Sequence, residues 1–376
     1  MIGRSLTGQI VESLSSGKAV ILLGARQTGK TTLLREVCSG YSDSVLWLNG
    51  DELDVQALFA RISSERIKAL LGTKKILVID EAQRITDIGV RLKLVTDSLP
   101  DIRLIATGSS SFELANRINE PLTGRKKEYK LFPLSFGELV ADSNLLTQKR
   151  LLPVRLMYGS YPEVVTSAGN EKNILRELTQ SYVYKDILSF ERIRNSEKLI
   201  RLLQALAWQI GSQVSFNELA RTCGLDAKTV DRYIRLLEQA YIVFRLGTYS
   251  RNLRNELKTS RKIYFWDTGI RNALIANFAE IENRSDAGAL WENYLVAERL
   301  KRNAYDHDWA NSYFWRTKEG QEIDYLEESD GRLAAWEIKW SAAAGTKAKA
   351  PLSFRNAYPE TRFAVVSPEN VEDFLL

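Results

Sequence analysis

A chain of 376 residues with 44% hydrophobic and 26% charged side chains has material for two or three domains with proper cores, which excludes extended disorder and fibrous repeats. Lysine and arginine exceed aspartate and glutamate by a net +5, a mild excess that permits a polyanionic partner without demonstrating one. Two distant cysteines, Cys38 and Cys223, exclude a disulfide framework and a structural zinc, and the single histidine, His307, expected as a surface side chain, removes His-rich metal sites.

The N-terminal stretch MIGRSLTGQIVESLSSG lacks the apolar core of a signal peptide, and no apolar run reaches the ~18–20 residues that cross a bilayer. A cytoplasmic protein with no membrane partner is the expectation. Residues 19–23 (AVILL) form a short apolar run ending at Gly24, and an amphipathic stretch from Thr31 to Val37 follows. Further apolar runs at Val45–Leu48, Ile76–Ile79 and Ile102–Ala106 alternate with helical segments. Such alternation predicts a parallel sheet covered on both faces, so residues 1–137 are expected as an α/β domain.

Beyond LFPLSF (131–136) the pattern turns helical through about residue 247, with YGSYPEVV (158–165) as a punctuated loop. Leu199–Ile210, Phe216–Cys223 and Ala227–Gln239 read as three helices with Asp226 capping the third, and Tyr241–Leu246 reads as a wing strand. Residues 138–250 are thus expected as a helical lid and winged helix, closed by a basic linker, SRNLRNELKTSRK (250–262). The remaining residues, 251–376, return to mixed α/β character, with a helix at Trp291–Arg302 and strands near Ser312–Trp315, Ile323–Leu326, Ala334–Ile338 and Phe363–Val366.

Gly24-Ala25-Arg26-Gln27-Thr28-Gly29-Lys30-Thr31-Thr32 contains GxxxxGK[ST] between a strand and a helix, the context in which this motif binds nucleoside triphosphate. Its backbone amides would cradle phosphates, Lys30 would reach the β- and γ-phosphates, and Thr31 would ligate Mg²⁺. Arg26 would either touch phosphate or point outward. At the end of the strand Ile76–Ile79, Asp80 would hold the hydration shell of Mg²⁺ and Glu81 would orient the attacking water. One strand intervenes in sequence between Lys30 and Asp80, which favours the class of P-loop proteins with an interposed strand and an adjacent catalytic glutamate. By that class's pattern the Leu104–Ala106 strand is expected between the P-loop strand and the Asp80 strand, presenting Thr107-Gly-Ser-Ser110 with Ser109 as a sensing hydroxyl, against a simple turn role. Arg125, in LTGRKKEY, is the candidate for charge neutralisation in the transition state, from this chain or a neighbouring subunit, against a solvated surface role.

The ensemble GARQTGKTTLL, ILVIDEAQ, ATGSSS, LTGR, LFPLSF, YGSYPEVV, SYVYKDIL and KIYFWDTGI resembles a large prokaryotic group of AAA-type ATPases that carry a winged helix and a C-terminal domain of uncharacterised function. The resemblance runs over nearly the whole chain. It implies an ASCE-type P-loop fold, ATP with Mg²⁺, and the usual roles for Lys30, Thr31, Asp80 and Glu81. One departure is Ser160, where the family often has a second glycine.

In the last section Asp324 (QEIDYL) and Glu337-Ile-Lys339 (AAWEIKW) are spaced so that two adjacent strands bring both carboxylates to one edge, with Lys339 on the face of Glu337. Carboxylates so placed bind Mg²⁺ or Mn²⁺ and a lysine activates water. This resembles the PD-(D/E)XK restriction-endonuclease-like fold, with Glu292 as its helical acid. A solvated Glu337–Lys339 pair and an inactive docking module are the competing readings. Trp336 and Trp340, facing the other way, are expected in the core. The whole reads as a multidomain ATPase acting on double-stranded DNA through Lys228, Arg232 and Arg235 of the third winged-helix helix, or as an ATP-switched recruitment module; an oligomer is compatible with either.

Overall fold

Apolar runs too short for helices and uninterrupted by polar residues become the central strands of the first of two compact units, residues 1–133 with 239–241. Strands β1 (Ala19–Leu23), β2 (Val45–Asn49), β3 (Ile76–Asp80), β4 (Arg103–Gly108) and β5 (Lys126–Lys130) form a parallel sheet in the order β2-β3-β4-β1-β5. Every residue of β1 and β3 is buried, as expected for strands covered on both faces. Edge strand β5 (KKEYK) buries only Tyr129, and its lysines discourage pairing with another chain. The expected placement of β4 is observed: Ile105 lies opposite Val20 of β1 and Val78 of β3.

Parallel strands put all their C-terminal ends on one edge, so Gly24, Gly50, Glu81 and Ser109 emerge together. Arg125 precedes β5 at the opposite edge, where its carbonyl accepts from Ala19 N at 2.9 Å.

The computed structural model describes residues 2–109, 118, 122–180, 196–250, 261–341 and 349–376. Ser110, SYVYKDIL (181–188) and Arg254 lie outside them. Among the described residues no helix is long and apolar enough to cross a membrane.

The second unit, residues 134–238 with 242–376, opens with a helix, Phe136–Asp142, started by a capping box in which Ser135 and Glu138 satisfy each other's backbone amides. Short helices follow to Leu178. Then come the helix Ser196–Trp208, strand β6 (Gln213–Val214), the helices Phe216–Cys223 and Ala227–Gln239, and strands β7 (Val243–Thr248) and β8 (Arg261–Phe265). Asp226 caps the third helix, its Oδ1 accepting from Thr229 N at 2.9 Å.

Strands β9 (Asn311–Arg316), β10 (Glu322–Ser329), β11 (Arg332–Ile338) and β12 (Arg362–Val366) join them in one seven-stranded sheet, β12-β11-β10-β9-β7-β8-β6. The segment 250–262, expected as a linker, instead joins two hydrogen-bonded neighbours, β7 and β8, and its last two residues already belong to β8. The Arg-Lys pair that opens β8 hides a strand whose next three residues, Ile263, Tyr264 and Phe265, are buried. The helix Ala287–Tyr305 packs Leu290, Trp291 and Tyr294 into a cluster with Tyr264, Phe314 and Tyr325, while Trp315, Ile323 and Leu326 join Phe354 in a second cluster. Adjacent residues of β9 thus serve opposite faces. Trp336 and Trp340 pack against the first cluster, as expected.

Candidate functional site

The phosphate-loop candidate is shaped by glycine. A Cβ on Gly24 would lie 2.1 Å from the Leu131 carbonyl oxygen, and Gly29 caps the helix Lys30–Cys38 with φ 92°, a left-handed conformation that disfavours side chains. Lys30 Nζ is folded into the loop, donating to Gly24 O at 3.0 Å and Ala25 O at 2.9 Å. Burial lowers its pKa from the ordinary lysine value, opposed by the charges of Glu81 and Asp80. Thr28 Oγ1 donates to Ala25 O, and Arg4 ties Thr28 O (2.8 Å) to Phe132 O (2.6 Å). Arg26 is half-buried, whereas Gln27 and Thr32 are exposed.

Asp80 receives two hydroxyls. Thr31 Oγ1 donates to its Oδ2 at 2.7 Å, and Thr107 Oγ1, from β4, donates to its Oδ1 at 2.5 Å. Glu81 follows in the left-handed region (φ 50°), with its amide donating to Thr107 Oγ1. Gln83, which the sequence reading did not single out, is buried and bridges two candidates: its Nε2 donates to Glu81 Oε2 at 2.5 Å and to Ser109 Oγ at 2.9 Å. Lys30, Thr31, Asp80, Glu81 and Ser109 are therefore brought together. Arg125 is not: its Nε pairs with Asp97 at 2.6 Å on the far edge of the sheet, because the parallel register aligns Lys126 with the first residue of β1. The hard oxygens of Thr31 and Asp80 beside a helix N-terminus fit Mg²⁺, which takes few protein ligands and keeps its water.

Residues 16–140 match the model described as an AAA domain. That stretch is similar to AAA-type P-loop domains. A solved Walker-type ATPase of Pyrococcus abyssi shares the fold with it, at 15% identity and TM-score 0.53 over 73% of this chain and 96% of that one. An uncharacterised protein of Mycobacterium tuberculosis is 28% identical to this chain over 342 residues, 89% of this chain and 73% of the relative. One of Haemophilus influenzae is 25% identical over 78% and 77%. Residues 149–281 and 287–374 match two domains of unknown function, DUF8612 and DUF4143.

The two motifs after the ATPase domain dock on one another. Asp267 of KIYFWDTGI accepts from Ser160 N at 2.7 Å and Ile270 N at 3.1 Å, and a Cβ on Gly159 would fall 2.1 Å from its Oδ1. The tight fit is at Gly159, so Ser160 is tolerated through its backbone. Burial pushes the Asp267 carboxyl up, and three backbone amides hold it down.

Asp324, Glu337 and Lys339 of the C-terminal section are also brought together. Tyr325 pairs with Trp336 across β10 and β11, which sets Asp324 beside Glu337. Asp324 Oδ2 accepts from Ile338 N at 2.8 Å, and Lys339 Nζ donates to Glu337 Oε1 at 2.6 Å. Burial raises both carboxyls, and for Glu337 the Asp324 charge adds to it. Glu292, expected as the helical acid, is near this pair but already occupied: its Oε1 accepts from Lys262 Nζ at 2.7 Å and Tyr264 Oη at 2.5 Å. Burial, with a contribution from Asp324, pushes its pKa up to about 7 against the pull of Lys262. Among the described residues no three His, Cys, Asp or Glu side chains gather closely enough to hold a metal ion. The set Glu292, Asp324 and Glu337 thus does not fit a divalent cation as the sequence led us to expect. Lys262 and Tyr264 were not singled out from the sequence, where Lys262 closes the basic run 250–262.

Proposed function

We propose that this protein hydrolyses ATP at the P-loop and couples turnover to contact with double-stranded DNA. The observation that carries the first part is the Thr31–Asp80 hydrogen bond beside Lys30, which joins the phosphate-binding loop to the acidic strand end. Lys30 would hold the β/γ-phosphates, Glu81 would take up the proton of the attacking water, and Ser109 would sense the γ-phosphate. Mg²⁺, held through Thr31 and Asp80, would neutralise phosphate charge. Arg125 lies on the far edge of its own sheet, so as the transition-state arginine it would serve a neighbouring copy. Nucleotide titration and phosphate release, wild type against Asp80→Asn, test this reading.

The order helix, β6, two helices, β7, β8 supports the winged-helix reading behind the DNA proposal. On the helix Ala227–Gln239, Val230, Ile234 and Leu237 are buried while Lys228, Arg232 and Arg235 are exposed at i, i+4, i+7, one face fit for a phosphate backbone. For residues 287–374 the engagement of Glu292 by Lys262 favours the second reading, a nuclease-like domain that docks a partner or DNA without cleaving.

A further inference from the structure

Lys262 is the most deeply placed cation of the C-terminal acid cluster, with a side chain 1% exposed. Its Nζ donates to Glu292 Oε1 at 2.7 Å, pairs with Glu322 Oε1, and lies 5.3 Å from the centre of the Phe314 ring. Burial by itself would favour the neutral amine; the charges of Glu292, Glu322 and Asp324 outweigh it and keep the group charged.

The oxygens of this cluster are largely spoken for. Tyr264, on the same face of β8, donates to the same Glu292 Oε1, so both lone pairs of that oxygen are taken. Glu292 Oε2 lies 3.4 Å from where a Cβ on Gly211 would stand. Glu322 uses its second oxygen on Arg316 Nη1 at 2.8 Å, and Asp324 turns Oδ2 to the Ile338 amide. Lys262, Arg316 and Lys339 thus face Glu292, Glu322, Asp324 and Glu337, which brings the cluster near neutrality from within. A divalent cation held by Glu292 would stand within a few ångströms of the ammonium and be repelled by it.

We propose that Lys262 is the resident cation of this cluster, standing where a nuclease-like site would hold a divalent metal ion, and that removing it opens a latent Mn²⁺ site on Glu292 and Asp324. The inference rests on the docking reading of the C-terminal domain and is separable from it. Bound Mn²⁺ is counted by electron paramagnetic resonance on the full chain without nucleotide, for wild type, Asp324→Asn, Lys262→Met and Lys262→Met with Asp324→Asn. Wild type and Asp324→Asn should bind alike, Lys262→Met should gain one equivalent, and the double variant should lose it.

An Asp324-dependent Mn²⁺ in wild type overturns the inference, as does a folded Lys262→Met that gains none. Should Lys262→Met fail to fold, the comparison of wild type with Asp324→Asn decides alone, equal binding supporting and unequal binding overturning. Cleavage of plasmid DNA by the same preparations reports on the docking reading separately: Asp324-dependent cleavage by wild type overturns that reading, and its absence beside a folded Lys262→Met that gains no Mn²⁺ overturns only the inference.

Discussion

Thr31 Oγ1 donates to Asp80 Oδ2 at 2.7 Å although 49 residues separate them. The contact exists because β4 enters between β1 and β3 and holds both strand ends on one edge. Asp80→Asn keeps the shape and loses the charge facing the cation, so Mg²⁺-dependent turnover should fall by about 100-fold or more. Phosphate release across a Mg²⁺ titration measures it; a wild-type Mg²⁺ curve would remove Asp80 from the site.

Glu81→Gln should still bind ATP but hydrolyse it ~10²–10⁴-fold more slowly, having lost the proton acceptor. Gln83 holds Glu81 and Ser109 in one hydrogen-bonded unit and is a positioning residue. Gln83→Glu should lower kcat, because it replaces the amide that donates to Glu81 and Ser109 with a like charge. Gln83→Ala should lower kcat while leaving ATP affinity near wild type. An unchanged kcat in both variants would show that the side chains do not communicate.

Replacing Arg232, Arg235 and Arg254 by alanine should weaken binding to double-stranded DNA and flatten its dependence on salt, since each phosphate contact releases about 0.9 counterion. Arg235 already pairs with Asp231. Fluorescence anisotropy at several salt concentrations measures both effects, and unchanged slopes would move the DNA contact off this helix.

Asp286 has a pKa lowered to about 2: burial raises it, but hydrogen bonds from Arg284 and Arg271 outweigh burial. A carboxyl with a depressed folded pKa adds stability above its unfolded value and loses it as pH falls through the folded one. With a discount for its partial exposure, the loss between about pH 4 and pH 2 is about 1 kcal/mol. Urea melts should show this decline in wild type and a flatter one in Asp286→Asn. Parallel declines would place the acid sensitivity elsewhere.

The candidate nucleotide site was legible because its chemistry is carried by contiguous backbone, a glycine-bounded loop between a strand and a helix; apolar runs gave the strands, and the order of β1, β3 and β4 followed from the class of P-loop proteins that the Asp80–Glu81 pair suggests. Arg125 stands apart from Lys30 within its own chain because LTGR precedes β5, and only the register of Ala19 with Lys126 reveals which edge it occupies. Gln83 stood inside the motif ILVIDEAQ, but its role depends on Ser109, 26 residues on. Lys262 reads as a surface charge in a basic run. Its burial is set by Glu292, 30 residues later, and by Glu322, distances over which periodicity carries no signal.

The central claim is that Lys30 is the fixed charge on the phosphates of a hydrolysed ATP. Steady-state phosphate release, wild type against Lys30→Ala at saturating Mg·ATP, measures it most directly. The account predicts turnover by wild type and background rates in the variant; equal turnover by both would contradict it.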